Sequence, residues 1–508
     1  MIKAKSRSKI LFGVDTPSDY HPAQDELAQE LAKLAHGGLW NFAAILSTKI
    51  LPNILVLILA LLISAEELGV YSFIISTYTI LSLIADLGIA YSLQKTIQES
   101  PSRAASISTT SFVVRFLSSA VLGLFAVLLD RKWHIFQDQS PLIVLLLISS
   151  SFGIFVYVLN AHMQYRQTSL LMILRNLISF VLSLLLVVLG IRISGPIISL
   201  SLAYLFTGLL TILLAKAYFK PDIDWALARK IIHIGFFMTI ASTLNILTQQ
   251  TGILALAYYS SNESVGIYKV AMTIGMIPML LGDGIILPLL PLIKKFIHAG
   301  SQHTINIIIL IMRYLIIGGL LLLLTASIVS KPLFHFLYNT RYDASIWPLR
   351  ILLVAGLLGM LYIVLISVLL MSDMVKRASL ICFVVSVTCA ALNAVAVPRY
   401  RMAGAAASLV IAFLLGLILV VISSEAYFKM RFEWKRYLVY LLSFGEIASL
   451  YSLFLINELR PVAQIFFGII LAPILVITAV YIQKGISKRE LRRILELAKI
   501  TYRGIFAS

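Results

Sequence analysis

Asn41-Phe-Ala-Ala-Ile-Leu-Ser-Thr-Lys-Ile-Leu-Pro-Asn-Ile-Leu-Val-Leu-Ile-Leu-Ala-Leu-Leu-Ile-Ser64 is the first long apolar run of the chain. As a helix it is long enough to cross a hydrocarbon core of about 30 Å. Similar runs recur along nearly the whole length. Hydrophobic residues make up 60% of the 508 and charged residues only 13%, against about 25% charged in a soluble protein. Mean hydropathy is +0.96. In lipid only helices and closed barrels satisfy their own backbone. A barrel would show short alternating segments, and these runs are continuous. The reading is an all-α integral membrane protein.

Fourteen spans are expected, at roughly 41–64, 70–93, 105–129, 141–161, 169–190, 196–216, 233–258, 264–290, 305–329, 348–370, 378–397, 402–423, 437–457 and 461–483. A polar leader, 1–38, precedes them; its segment 24–35 repeats apolar residues at helical spacing and reads as an amphipathic surface helix. A basic tail, 484–508, follows. The junctions near 190–196, 397–402 and 457–461 are tight, which leaves twelve spans as the alternative count.

The net charge of +18 would point to nucleic acid in a soluble protein. Here the basic residues cluster in short loops. With both termini in the cytoplasm, 27 Lys and Arg fall inside and 8 outside, the sense that the positive-inside rule demands. No nucleic-acid partner is expected. Cys382 and Cys389 share one apolar run and read as buried thiols.

The chain partly repeats itself at an offset of 197 residues. Leu68-Gly-Val-Tyr71 matches Val265-Gly-Ile-Tyr268. Asp86 in Ile84-Ala-Asp-Leu-Gly-Ile89 matches Asp283 in Leu281-Gly-Asp-Gly-Ile285. The copies lie six spans apart and share one orientation. This parallel repeat implies two six-helix lobes, an architecture common among transporters that bind substrate between the lobes. The N-lobe is expected at 39–218 and the C-lobe at 233–424. A linker at 219–232 joins them, and spans 13 and 14 are an appendage at 425–483.

An ionisable residue inside a span is costly unless it faces a cavity, a partner or the interface. Arg115 sits about ten residues into span 3. Lys49, Arg175, Lys269 and Arg313 lie nearer the ends of spans 1, 5, 8 and 9. Two readings stand for these cations. They line a cavity and hold an anionic headgroup, which Arg grips through its planar fork and Lys as a point charge. Or they pair with Asp86, Asp283 and Glu446, or stay at the interfaces. The three acids are candidates for ion coupling or for structural pairing. Pro52, Pro278 and Pro288, with Gly282 and Gly284, are candidate hinge positions, because proline removes a helix hydrogen bond. No metal-ligand cluster is read among eight scattered histidines, and no glycine-rich nucleotide loop appears. No grouping of nucleophile, acid and base points to an enzyme.

Gly38-Leu-Trp-Asn-Phe42, Ala65-Glu-Glu-Leu-Gly-Val-Tyr-Ser-Phe73 and Ala85-Asp-Leu-Gly-Ile89 carry a resemblance. Ser264-Val-Gly-Ile-Tyr268 and Pro288-Leu-Leu-Pro291 extend it. Over roughly 38–485 the chain resembles the polysaccharide biosynthesis and oligosaccharide flippase family. The larger superfamily also holds multidrug extruders and lipid II flippases. The resemblance implies a V-shaped pair of lobes opening alternately to either side. It implies export of a glycan on an isoprenoid pyrophosphate carrier across the cell membrane. Cations of the first lobe would receive the headgroup; Lys49, Arg115 and Arg175 fit by placement. Spans 13 and 14 would hold the lipid tail. No cofactor is implied beyond coupling to a proton or sodium gradient. Membrane lipids, a polysaccharide polymerase and glycosyltransferases are the implied partners. Two rivals stay open: a multidrug or small-cation extruder, and a non-transport partner of a polymerase.

Overall fold

The computed structural model describes residues 40, 43–44, 46–215, 223–286, 302–372 and 374–428. Every regular element among them is a helix. The leader, spans 13 and 14, the basic tail, Glu446 and Pro288 lie outside the described residues, as does the linker as far as residue 222.

The helices in chain order are α1 (Leu46–Leu62), α2 (Ala65–Asp86), α3 (Ile89–Glu99), α4 (Ala104–Trp133) and α5 (Ser140–Ser151). Then come α6 (Phe155–Ala161), α7 (Tyr165–Val188), α8 (Ser194–Leu214) and α9 (Trp225–Tyr259). The last five are α10 (Asn262–Gly275), α11 (Ile277–Ile286), α12 (Gln302–Tyr338), α13 (Ile346–Met371) and α14 (Val375–Phe428). Each expected span up to residue 423 meets helix. Among the described residues, eight helical stretches are long and apolar enough to cross a membrane, or nine if the bent pair α10–α11 counts as one span. The element α14 takes in two expected spans. It breaks at Arg401, whose φ of 47° is not helical. A Cβ built on Gly404 would lie 2.4 Å from the Ala396 carbonyl oxygen. Residues eight apart in one straight helix are about 12 Å apart, so the chain doubles back there.

Three boundaries differ from the hydropathy reading. Span 2 is not continuous: Leu87 and Gly88 take positive φ, and the helix restarts at Ile89. The freed carbonyls of Leu87 and Gly88 pass close to Gly235 of α9, where a Cβ would sit 2.7 and 2.5 Å from them. Span 7 was expected from 233, but α9 begins at Trp225. Asp224 caps it, accepting from the Ala226 and Leu227 amides at 2.9 and 3.1 Å. Polar first turns such as Ala226-Leu-Ala-Arg-Lys230 form helix readily yet carry no hydropathy signal. Span 8 bends by 43° between α10 and α11.

The packing suits lipid. Val121, Leu124, Phe125 and Leu128 of α4 are exposed, and so are Leu209, Leu213 and Leu214 of α8. The buried faces carry small and polar residues instead: Ser199, Ser201, Thr207 and Thr211 of α8 are fully buried. Hydroxyls join neighbouring helices, Ser183 to Ser199 at 2.5 Å, Ser151 to Ser119 at 3.1 Å and Thr248 to Ser386 at 2.7 Å. Small residues let helices approach in a solvent that supplies no hydrophobic drive. Cys382 and Cys389 are free and buried; the Tyr362 hydroxyl donates to Cys382 Sγ at 3.3 Å.

Helices α3–α8 pack mainly on one another, and so do α9–α14. Helix α2 joins the first group through α4 and α5 but packs most on α10 and α9. It forms the main contact between the groups, with α9 also meeting α3 and α4.

Candidate functional site

The repeat has a structural counterpart at its start. Ser64 caps α2, accepting from the Glu67 amide at 3.1 Å. Ser261, 197 residues on, caps α10, accepting from the Ser264 amide at 3.2 Å. Five residues after each cap stand Gly69 and Gly266, and they mark where the two groups touch. A Cβ on Gly69 would lie 1.7 Å from the Asn262 carbonyl oxygen. One on Gly266 would lie 1.9 Å from the Ala65 carbonyl oxygen. Glycine is required at both, because backbone passes against backbone. Tyr71 and Tyr268, the partners in the repeat, are both buried beside this crossing. The helix groups are therefore shut against each other at the Ser64/Ser261 end.

The seam between α1 and the bent pair α10–α11 is different. It holds a cavity of about 250 Å³ lined by Lys49, Asn53 and Leu57 on one side and by Thr273, Leu281 and Gly284 on the other. Lys49, on its wall, forms an ion pair with Asp283 of α11. The Lys49 side chain is 36% exposed and Asp283 16%. Asn53 donates to the Lys49 carbonyl at 2.9 Å. Farther along, the second group also grips α1. Tyr338 Oη donates to the Leu57 carbonyl at 3.1 Å, and Arg341 Nη1 to the Ile63 carbonyl at 3.2 Å. The Ile63 carbonyl lies just past the end of α1, where the final carbonyls have no partner within the helix; that of Leu57 lies further inside α1. Asn176 of α7 holds the other face of α1, donating to Ser47 Oγ at 3.1 Å.

The remaining candidates are placed as follows. Arg115 is 6% exposed. Its Nη1 donates to the Ser82 carbonyl at 2.7 Å and its Nη2 to Ser82 Oγ at 2.8 Å. Nη1 also lies 3.2 Å from Asp86. Its charge is thus engaged between α2 and α4, within the first group. Ser118, one turn on, donates to the Ala85 carbonyl at 2.6 Å. Arg175 stacks its guanidinium 4.7 Å from the Tyr204 ring, and its Nε makes no hydrogen bond. Lys269 lies half-buried on α10, in no ion pair among the described residues. Arg313 is buried in α12. The structure brings Lys49 and Asp283 together, and Arg115 and Asp86; it does not gather all five cations at one point.

Of the hinge candidates, Pro52 lies within unbroken α1, whereas Pro278 stands just past the bend. The bend is seated on α13. A Cβ on Gly275 would lie 2.5 Å from Leu352 Cβ, one on Gly356 2.3 Å from the Gly275 carbonyl oxygen, and one on Gly282 2.8 Å from Met360. Gly284 lines the cavity.

The offset of 197 explains why the two acids have different partners. Asp86 finds Arg115 in its own group, but the matching position, 312, is a methionine. Asp283 finds Lys49 across the seam, but the position matching Lys49 is Ile246. Ile84 and Leu87 match Leu281 and Gly284, and they line a second groove of about 920 Å³ between α4 and α9. No acid lines that groove, whose charge comes from Arg229, beside His233. Ser82 and Tyr204 carried no signal in the sequence, since a serine or tyrosine in an apolar run reads as packing. Glu67 and Arg192, paired at 3.0 Å, are legible only as opposite charges at the same end of their spans.

A family model described as polysaccharide biosynthesis protein matches residues 34–297. No curated protein matches the chain. The fold is similar to that of a lipid II flippase, MurJ, in an inward closed conformation, with a TM-score of 0.68 at 15% identity, covering 88% of this chain and 99% of that one. It is also similar to an inward-facing multidrug resistance MATE family transporter of the MOP superfamily, with a TM-score of 0.56 at 15% identity, covering 77% and 95%. A MOP superfamily transporter from Pyrococcus furiosus, described by a binding pocket of reverse polarity, gives 0.50 at 14% identity, covering 78% and 96%. At these identities the likeness is one of fold.

Proposed function

We propose, from the premise that this chain belongs to the polysaccharide biosynthesis protein family, that it is a flippase for a glycan carried on an isoprenoid pyrophosphate. The direction is from the cytoplasmic to the outer leaflet of the cell membrane. The observation that carries the reading is Lys49, a cation on the wall of the cavity between α1 and α10–α11, with its charge held by an acid of the opposite helix group.

A sugar pyrophosphate cannot cross hydrocarbon unaided. A seam that opens sideways lets the charged headgroup pass between the helix groups while the isoprenoid stays in lipid. The distribution of Lys and Arg supports cytoplasmic termini, which puts the Ser64/Ser261 end outside. The shut glycine crossing then closes the outer end, and the headgroup enters from the cytoplasmic side. Lys49, Arg175 and Lys269 are its receivers. Arg115 acts as a positioning residue, because Asp86 and Ser82 already hold it. The two helix groups are the lobes that rock, and the bend at Pro278 takes up the change in α10–α11. No bond is made or broken, so no catalytic group is called for. A cation extruder would need a free carboxylate, and Asp86, the acid available in the first group's spans, is bound to Arg115. Gradient coupling, to protons or sodium, completes the cycle. A polymerase and glycosyltransferases are its natural neighbours.

The test is a leaflet assay on a host depleted of the protein. Isoprenoid-linked glycan is expected to collect on the cytoplasmic leaflet and to be cleared by the wild type. Lys49→Ala is expected to slow clearance by about tenfold or more, the scale of one charge-assisted hydrogen bond. Unchanged glycan on both leaflets after depletion would sink the proposal.

A further inference from the structure

We infer that Lys49 and Asp283 form an anion-sensitive latch: a pyrophosphate group entering the cavity between α1 and α10–α11 takes Lys49 from Asp283, and that exchange frees the seam. The inference rests on the proposed function and deepens it, by naming the group that the substrate must displace.

The two repeat-related acids supply the argument. Asp86 is locked within its own helix group, by a guanidinium that also makes two hydrogen bonds to Ser82. A fork so engaged is a poor receiver for an incoming anion. Asp283 has no such tie within its own group among the described residues. Its matching arginine position is Met312, and its recorded partner is Lys49, from the other group. The Lys49 side chain is also the more exposed of the two, at 36% against 16%. It lines a cavity whose remaining polar side chains, Asn53 and Thr273, carry no charge. Among the described residues, an incoming anion therefore has one charged competitor for Lys49, Asp283.

The exchange is directional. A ligand shifts a conformational equilibrium only by binding one state better than the other. With the seam closed, Lys49 is spent on Asp283. With the seam open, Lys49 is free and the anion gains the whole contact. A pyrophosphate carries more charge than one carboxylate and offers more acceptor oxygens to an ammonium. The freed Asp283 moves away on α11, beyond the bend, with Gly284 beside it. The other groove, between α4 and α9, has no acid among its described lining residues, so the seam at α1 is the one expected to respond.

The experiment uses the purified full-length protein with nitroxide labels at Leu46→Cys and Leu281→Cys, which face the same cavity. Pulsed EPR reads the ratio of short to long distances across the seam. Inorganic pyrophosphate is the probe, with sodium chloride of matched ionic strength as the control. Pyrophosphate is expected to lower the ratio by about two- to fivefold, the weight of a half-exposed ion pair. Asp283→Asn should reach the lowered ratio without pyrophosphate. Lys49→Ala should reach it too, and then ignore the anion. The charge swap Lys49→Asp with Asp283→Lys should restore the short distance, which shows that the pairing, rather than a damaged fold, is being read. The latch is overturned if either neutralised variant keeps the wild-type ratio, or if Lys49→Ala still responds to pyrophosphate. A seam that responds in this way while the leaflet assay shows no export would keep the latch and reject the flippase.

Discussion

Arg115 shows how a buried charge decides its own role. Its guanidinium is engaged by Asp86 at 3.2 Å and by Ser82 at 2.7 and 2.8 Å. Removing one member of a buried pair strands the other, at a cost of about 3–5 kcal/mol. Arg115→Ala is therefore expected to lower the detergent melting temperature sharply. Arg115→Met combined with Asp86→Leu should recover most of the loss, because an apolar pair of similar volume replaces a buried ion pair at little cost. Melting of Arg115→Ala at the wild-type temperature would remove the structural role. Arg175 has the opposite character: its ring stack on Tyr204 leaves Nε without a hydrogen bond, so a donor is spare there. The sequence placed both arginines within their spans and, by depth alone, put Arg115 ahead of Arg175 as a receiver. Depth in a helix is readable from spacing, but the neighbour across the helix interface is not.

At the scale of elements, caps and breaks position the site. Asp224 starts α9, and Arg103 pairs with it at 2.6 Å. The Leu227 amide, then Arg103 and the Ala226 amide, hold its carboxyl below the ordinary carboxylate range. A carboxylate whose folded pKa is depressed stabilises the fold above its unfolded pKa and loses that contribution as pH falls through the folded one. Asp224→Ala is thus expected to melt below the wild type at pH 7. The gap should narrow as the pH falls below the free carboxylate value of about 3.9 and through the lower value of the folded state. A gap that stays constant across that descent would mean that the charge of Asp224 is not what holds the cap. The break in span 2 was half legible. Asp86-Leu-Gly88 is a natural stop, yet hydropathy ran the span through it to 93. The bend of span 8 was legible as a cluster of proline and glycine around 275–284. Its seat on Gly356 and Met360 of α13 was not, since those residues lie in another apolar run with nothing to single them out.

At the scale of the whole molecule, two helix groups close on each other most tightly where α10 crosses α2. Gly69 and Gly266 each leave no room for a Cβ against opposing backbone. Gly69→Ala must push the crossing apart, whereas a substitution on a lipid-facing position would not. Its expected effect is faster reaction of Val70→Cys with a water-soluble maleimide, by about tenfold for each 1.4 kcal/mol by which the clash disfavours closure. An unchanged labelling rate would show that the crossing does not gate that end.

Hydropathy alone settles that this is a multi-spanning helical membrane protein and roughly where each described span lies, though not its ends. Lipid forces that result, because every peptide group must find its hydrogen bond inside its own segment. The repeat was likewise readable, since Gly69, Tyr71 and Asp86 recur together as Gly266, Tyr268 and Asp283. The partners of the two acids were not readable. Lys49 and Asp283 are separated by 234 residues, and either acid could have met any of several cations. The packing of α1 against α10–α11, and of α4 against α2, made the choice. An ion pair forms between whichever charges the helix contacts bring within reach, and those contacts are set by side chains from every element at once.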